Sequence, residues 1–316
     1  MDLLPSKNKH KYFKGNLHGH SNHSDGALNP QEVVKKYKEI GYDFTCLSDH
    51  LWKDAKFAAE TVLETKHLNQ KDFITIPSAE LHCLGKKYVK DGLWHIVANG
   101  LPLDFKCADE KETAPRLVQR AIEAGAFVTI AHPEWYSLTF DECLSVSHAH
   151  GVEIYNHSCH IEAQRGFGTA AADYLLQENN KIFLTATDDS HFRMPDAGGG
   201  WVMVASQNLN ERSILDSLKL GKYYSSTGVD ILNFEDNTRM YASSAENLAK
   251  LQRESKIAEA TYAVLIEQVK TQSLAAGLSS TKFKVYEYAR ASLSPSYPKR
   301  TTIFGISTLL GLAAGL

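Results

Sequence analysis

Short β-rich runs alternate with amphipathic runs along most of this chain, and histidines or carboxylates recur where the β-rich runs stop. The runs are Tyr12–Leu17, Phe44–Leu47, Phe73–Ile76, Trp94–Ala98, Phe127–Ala131, Val152–Tyr155, Ile182–Ala186 and Trp201–Ala205. Helical spacing fills most of the intervals. Pro30–Ile40 carries Val33, Val34, Tyr37 and Ile40 on one face, with Asn29 as N-cap and Gly41 as stop. Lys56–His67, Glu112–Ala124, Phe140–His148, Glu162–Glu178 and Glu211–Leu220 are the other predicted helices. Such alternation predicts an α/β fold with a largely parallel sheet. Seven or eight units suit a closed barrel, whose chemistry sits on the loops after the strands.

Polar groups follow the strands in a consistent way. His18, His20 and Asp25 follow the first run, and Asp49 and His50 follow Phe44–Ser48. Glu80 follows the third, with His82 two residues on, and His95 lies in the fourth. His132 ends the fifth, Asn156 and His157 follow the sixth, and Asp188, Asp189 and His191 follow the seventh. A lone histidine at any of these positions reads as a hydrogen-bonded structural residue. Six strand ends bearing imidazole or carboxylate read as a metal site, because a parallel barrel brings those ends to one face.

The motifs Leu17-His18-Gly19-His20 with Ser24-Asp25-Gly26, Ser48-Asp49-His50, Ala79-Glu80, Ala131-His132-Pro133 and Asp189-Ser190-His191 run in an order that resembles the PHP family, the polymerase and histidinol phosphatase phosphoesterases. The resemblance spans residues 13–230 and includes Gly221–Gly228. It implies a distorted (β/α)7, TIM-like barrel with two or three divalent metal ions (Zn, Mn or Fe) at the strand C-termini. It further implies that His18, His20 and Asp189 hold one ion and that Glu80 bridges it to a second completed by His95 and His132. Asp25, His50 and His191 are implied to hold a third. His82 and Asp91 compete with His95. Asp188 competes with Asp189, the Asp-x-His spacing favouring Asp189 as ligand and Asp188 as its orienter.

The activity this implies is hydrolysis of a phosphate ester of a small molecule, such as a nucleotide, sugar or amino-alcohol phosphate. A hydroxide bridging two cations is the nucleophile, and the cations neutralise the oxygens where charge builds. Asp189 and His157 are the catalytic candidates, His157 as proton donor to the leaving group. Arg165, Arg193 and His23 are the substrate-binding candidates. Gly198-Gly199-Gly200 lacks the following Lys-Ser/Thr of a phosphate-binding loop and reads as a flexible turn. Two alternatives remain open: a catalytically weak metal-binding scaffold tethered through its C-terminal helix, and a metal-dependent hydrolase of a non-phosphate bond.

Charge and cysteine usage bound the partners. A formal net charge of −3 gives no reason to expect nucleic acid. The five cysteines are dispersed without a Cys-x-x-Cys pair, as in reduced, cytoplasmic proteins. Residues Met1–Lys14 have no apolar core of a signal peptide. All histidines lie between His10 and His191, whereas Ser243–Arg300 carries nine Lys/Arg against five Asp/Glu. That shift divides the chain into a metallo-phosphoesterase domain, 1–240, a helical extension with a Pro-containing loop, 241–300, and an apolar segment, 301–316.

The last segment is short for a membrane span, which needs about 20 residues. Leu251–Lys256, Tyr262–Ile266, Ser294–Arg300 and the apolar end resemble the end of a bacterial polysaccharide chain-length determinant. The tail therefore offers membrane association or self-association, making the expected location cytoplasmic, or membrane-associated if the tail anchors.

Overall fold

The computed structural model describes residues 11–87, 92–177 and 181–229. The chain divides into two units, Met1–Asp236 and Asn237–Leu316. The predicted helical extension with its Pro-containing loop, 241–300, the apolar segment, 301–316, and the chain-length-determinant resemblance all lie outside the described residues, as does Asp91.

The elements of the first unit are β1 (Lys11–Asn16), α1 (Pro30–Glu39), β2 (Phe44–Leu47), β3 (His50–Leu51), a 3-10 turn (Lys66–Leu68), β4 (Ile74–Cys83) and β5 (Trp94–Asn99). They continue with α2 (Ala114–Glu123), β6 (Phe127–Ile130), α3 (Phe140–Ser145), β7 (Gly151–Asn156), α4 (His157–Ala163) and α5 (Thr169–Gln177). The last are β8 (Phe183–Thr187), β9 (Trp201–Ser206), α6 (Glu211–Lys219) and β10 (Tyr223–Ser226).

The strands form one sheet in the order β10-β9-β1-β2-β4-β5-β6-β7-β8, with β3 added beside β4. It is a mixed, nearly closed, barrel-like sheet. At the seam β8 meets β10 through a side chain: the Ser225 hydroxyl accepts from the Ala186 N–H at 3.2 Å and donates to the Leu184 carbonyl at 2.8 Å. Past the strand ends β1 and β8 meet directly. Asp189 N–H donates to the His18 carbonyl (2.8 Å) and His20 N–H to the Ser190 carbonyl (2.9 Å).

A largely parallel sheet is only partly what forms. β1, β2 and β4 run parallel, as do β6, β7 and β8. β5 is antiparallel to both its neighbours, and β9 and β10 are antiparallel to theirs. The cause at β5 is chain length. A parallel crossover needs a dozen or more residues, usually with a helix, and the link from Cys83 to Trp94 is shorter.

Local chemistry explains most helix limits. Asn29 and Glu32 make a capping box at the start of α1, and Thr139 with Glu142 makes one at α3. No helix forms over Lys56–His67 beyond the 3-10 turn. Ala59 is instead held extended, its N–H on the His50 carbonyl (2.8 Å) and its carbonyl on the Trp52 N–H (3.0 Å). Glu162–Glu178 is two helices rather than one. Between α4 and α5 the backbone passes so close to β7 that a Cβ on Gly168 would lie 1.9 Å from the Glu153 carbonyl.

Apolar faces then close the core. Leu81, Ile96, Leu117, Val128, Val152 and Leu175 pack in one group, and Leu17, Phe44, Ile76, Phe127, Val202 and Ile214 in another. Val33, Val34 and Tyr37 seat α1 against Leu47, Phe73 and Trp201. Among the described residues no helix is long and apolar enough to cross a membrane. All five cysteines are free, and Cys46, Cys83, Cys143 and Cys159 are buried.

Candidate metal centre

Polar groups that no apolar core would tolerate are buried together at one end of the sheet. His18 and His20 have no exposed surface, Glu80 has 1%, and His132 and Asp189 are nearly as enclosed. The strands explain how they meet. β1 delivers His18 and His20, β2 and β3 deliver His50, and β4 delivers Glu80. β6 ends just before His132, and β8 just before Asp188 and Asp189. His95 arrives by the opposite route. Because β5 runs antiparallel, His95 stands near its start, paired across the ladder with His82.

The Glu80 carboxylate is central. Its Oε1 lies 2.7 Å from His95 Nδ1 and 3.1 Å from His132 Nε2. Its Oε2 lies 3.5 Å from His18 Nε2, 3.6 Å from His20 Nε2 and 2.7 Å from His50 Nδ1. Asp189 Oδ1 is 2.9 Å from His20 Nε2 and 3.2 Å from His18 Nε2. Asp25 Oδ1 is 3.4 Å from His191 Nε2 and 3.5 Å from His50 Nε2. Among the described residues five groups of potential ligands result: His18/His20/Glu80, His18/His132/Asp189, Glu80/His95/His132, His20/Asp25/His50/His191 and His50/Glu80/His82, with the ligand atoms of each within 4.8 Å of one another.

The atoms facing inward fit divalent ions. His18 Nε2, His20 Nδ1, Asp25 Oδ1 and Glu80 Oε2 are buried without a hydrogen bond. Such orphans are costly, and buried charges are expected to be paired or to coordinate metal. Mixed imidazole and carboxylate donors suit Zn, Mn or Fe.

Mutual electrostatics hold the groups in unusual protonation states. Burial works to raise Glu80, but His50, His95 and His18 outweigh it and hold the carboxyl well below its usual range. Asp189 is likewise held low, by His18, His20 and His191 against burial. Burial, with His191 and His50 close by, pulls His20 down to about 3. Burial also opposes charge on His191, yet the carboxylates of Asp25, 3.4 Å from its Nε2, and Asp189 push it up to about 9.

Outer groups orient the inner ones. Glu153 is buried on β7 and accepts from four donors: His18 Nδ1 (2.7 Å), His132 N–H (2.7 Å), Asn156 Nδ2 (2.9 Å) and the Thr187 hydroxyl (2.9 Å). It fixes the His18 tautomer so that Nε2 faces inward. The sequence reading passed over it; the only signal was an acidic residue inside an otherwise apolar strand, Gly151–Asn156. Asp49, also placed at a strand end, instead ties down the loop carrying Asp25, accepting from Ser21 and Ser24.

Asp188 turns away from the cluster. It accepts from the N–H groups of Gly198, Gly199 and Gly200, each at 2.8 Å, and from the Tyr37 hydroxyl at 3.0 Å. The triple-glycine stretch is therefore a fastened loop, not a flexible turn. Beside it Asp189 adopts φ +54, a left-handed conformation that aspartate tolerates better than most residues.

A cavity of about 380 Å³ opens over the cluster. Asp25, His50, Glu80, His95, His132, Asp189 and His191 form its floor, with Phe57, Trp135, Arg193 and Met194 also lining it. The remaining candidates divide. Arg193 is at the cavity and donates to the Asp25 carbonyl. Arg165 is not: it donates to the Ser137 hydroxyl (2.7 Å) beside a separate surface hollow. His157 does not line the cavity, its Nδ1 being 2.9 Å from the Tyr155 hydroxyl and its ring lying against Gly199. His23 Nε2 is spent on the Thr61 carbonyl at 2.9 Å. Cys159, which sequence reasoning did not single out, lines the cavity with Sγ 3.8 Å from Asp189 Oδ2.

No protein-family model and no curated protein matches this chain. Among solved structures it is similar to a two-domain protein from Bacteroides vulgatus ATCC 8482 containing a predicted PHP-like metal-dependent phosphoesterase. The identity is 17%, over 71% of this chain and 67% of that one, with a TM-score of 0.49. A protein from Bifidobacterium adolescentis ATCC 15703, assigned as a metal-dependent phosphoesterase, is 12% identical over 69% of this chain and 97% of its own, with a TM-score of 0.43. An amidohydrolase from Chromobacterium violaceum with bound sulfate and no metal is 14% identical over 69% and 99%, with a TM-score of 0.44. These three TM-scores are below 0.5, and the fold and centre described above rest on this chain's own residues.

Proposed function

We propose that the chain is a metal-dependent hydrolase of the PHP type, acting on a phosphate ester of a small molecule. The observation that carries this is the convergence of His18, His20, Asp25, His50, Glu80, His95, His132, Asp189 and His191, from strands far apart in sequence, with orphaned ligand atoms facing one another. Glu80 is the proposed bridge between two ions, and Asp25, His50 and His191 the proposed third set. Bound divalent ions would supply an activated water and neutralise charge on the phosphoryl oxygens.

The chain's own groups account for the remainder. Glu153 orients His18, and the fastened Asp188 loop fixes Asp189. Arg193 stands at the mouth where a second anionic group of the substrate would lie. A cavity of about 380 Å³ is in the range of small-molecule sites, which supports a small substrate. The PHP-type motif order supports phosphorus as the centre attacked.

The test joins metal analysis of purified protein with phosphomonoesters, phosphodiesters and lactones assayed in Mn or Zn. Turnover of a phosphoester that chelator abolishes is expected. Metal content near zero after loading would sink the metal reading. Lactone hydrolysis with no phosphoester turnover would sink the phosphoester reading alone.

A further inference from the structure

His82 is buried beside the centre, yet both its ring nitrogens are already engaged. Nδ1 lies 2.9 Å from the Trp94 carbonyl and Nε2 lies 2.8 Å from His50 Nδ1. The ring is packed against His50 and His95 with 1% exposure. A carbonyl oxygen can only accept, so His82 Nδ1 carries a proton. In the neutral ring Nε2 is then an acceptor, and His50 Nδ1 is the donor. His50 Nε2 is left bare, 3.5 Å from Asp25 Oδ1, inside the group His20, Asp25, His50 and His191.

Glu80 sharpens the point. Its Oε2 is 2.7 Å from the same His50 Nδ1, no farther than His82 is, yet Oε2 is without a hydrogen bond. The N–H of an imidazole lies in the ring plane, and here the plane serves His82. The Nδ1–H of His50 is thus donated to a residue outside the set of proposed ligands, and Glu80 Oε2 stays open.

We propose that His82 is a positioning residue: anchored by the Trp94 carbonyl, it accepts the Nδ1–H hydrogen bond of His50 and so commits His50 Nε2 to a divalent cation held with Asp25 and His191. This rests on the metal reading above. It also removes His82 as a ligand and takes His50/Glu80/His82 out of the possible ion sites.

The test compares wild type, His82→Gln and His82→Leu, using zinc alone as the probe. Glutamine can offer a carbonyl to His50 and an amide N–H to Trp94; leucine can do neither. Long-range proton–nitrogen NMR of the metal-free protein is expected to show His50 protonated at Nδ1 in wild type and in His82→Gln. Zinc titration is expected to give equal ion counts for these two and a 10–100-fold weaker last class of site in His82→Leu, the usual cost of losing an outer partner. His50 protonated at Nε2 in wild type would overturn the proposal, as would zinc binding by His82→Leu equal to wild type. Should the leucine variant fail to fold, a glutamine variant that loses the last zinc while remaining folded overturns it instead. No zinc uptake by wild type overturns the metal reading itself, whereas uptake unchanged in His82→Leu overturns this inference alone.

Discussion

Asp189 concentrates several demands on one residue: a left-handed backbone, contact with His18 and His20, and a place on the cavity floor. Asparagine tolerates that backbone and keeps the volume while removing the charge. Asp189→Asn is therefore expected to stay folded and to lose more than about a hundredfold in activity, since even outer partners of ligands are worth 10–100-fold. Circular dichroism beside kinetics checks both parts, and full activity would exclude Asp189 as a ligand. A second expectation concerns protons. Glu80 and Asp189 raise His132 and His18 against burial, and His191 stands at about 9, so these rings favour protons in the metal-free protein. A ligand nitrogen must be bare, so zinc binding at pH 7 should release on the order of one proton or more and should strengthen as pH rises towards 9. Calorimetry in two buffers of different ionisation enthalpy reads this directly; identical heats would refute it. Residue types at strand ends made His18, Glu80 and Asp189 legible in the sequence. Glu153 and the orientation of His157 were not legible, because each depends on which way a side chain turns out of β7 or α4.

At the level of elements, periodicity and caps located β1, α1, β2, β6 and α6 to within a residue or two. What they missed is pairing. Nothing in Trp94-His95-Ile96-Val97 says that the strand runs backwards, and His95 reaches the centre only because it does. Lys56–His67 shows the opposite failure, helical spacing overridden when Ala59 is drawn onto β3. The seam between β8 and β10 offers an element-scale expectation. Ser225→Ala removes a hydroxyl that both accepts from Ala186 and donates to Leu184. The loss should be roughly 1–3 kcal/mol, as for a partly buried backbone group left unmatched. Urea unfolding checks it, and a midpoint unchanged from wild type would mean that the seam is held by other contacts.

For the whole molecule, the division at Asp236 and Asn237 leaves every described ligand candidate in the first unit. A chain ending at residue 236 is expected to fold, bind zinc and keep the activity of the full chain. An unfolded product would show that the tail belongs to the core. Chelation of a loaded protein should lower its melting temperature, because ions bound only by the folded state stabilise it in proportion to the logarithm of their excess over Kd. The meeting of β1 and β8 through His18, His20, Asp189 and Ser190 has one more result. Proteins are made from the amino end at about 5–20 residues per second. Both edges of this contact must leave the ribosome before either finds its partner. The early histidines thus wait some 170 residues for Asp189, roughly eight to thirty-four seconds of translation at that pace. Through that interval the nascent chain holds only fragments of the proposed site, which is assembled after the sheet has come around on itself.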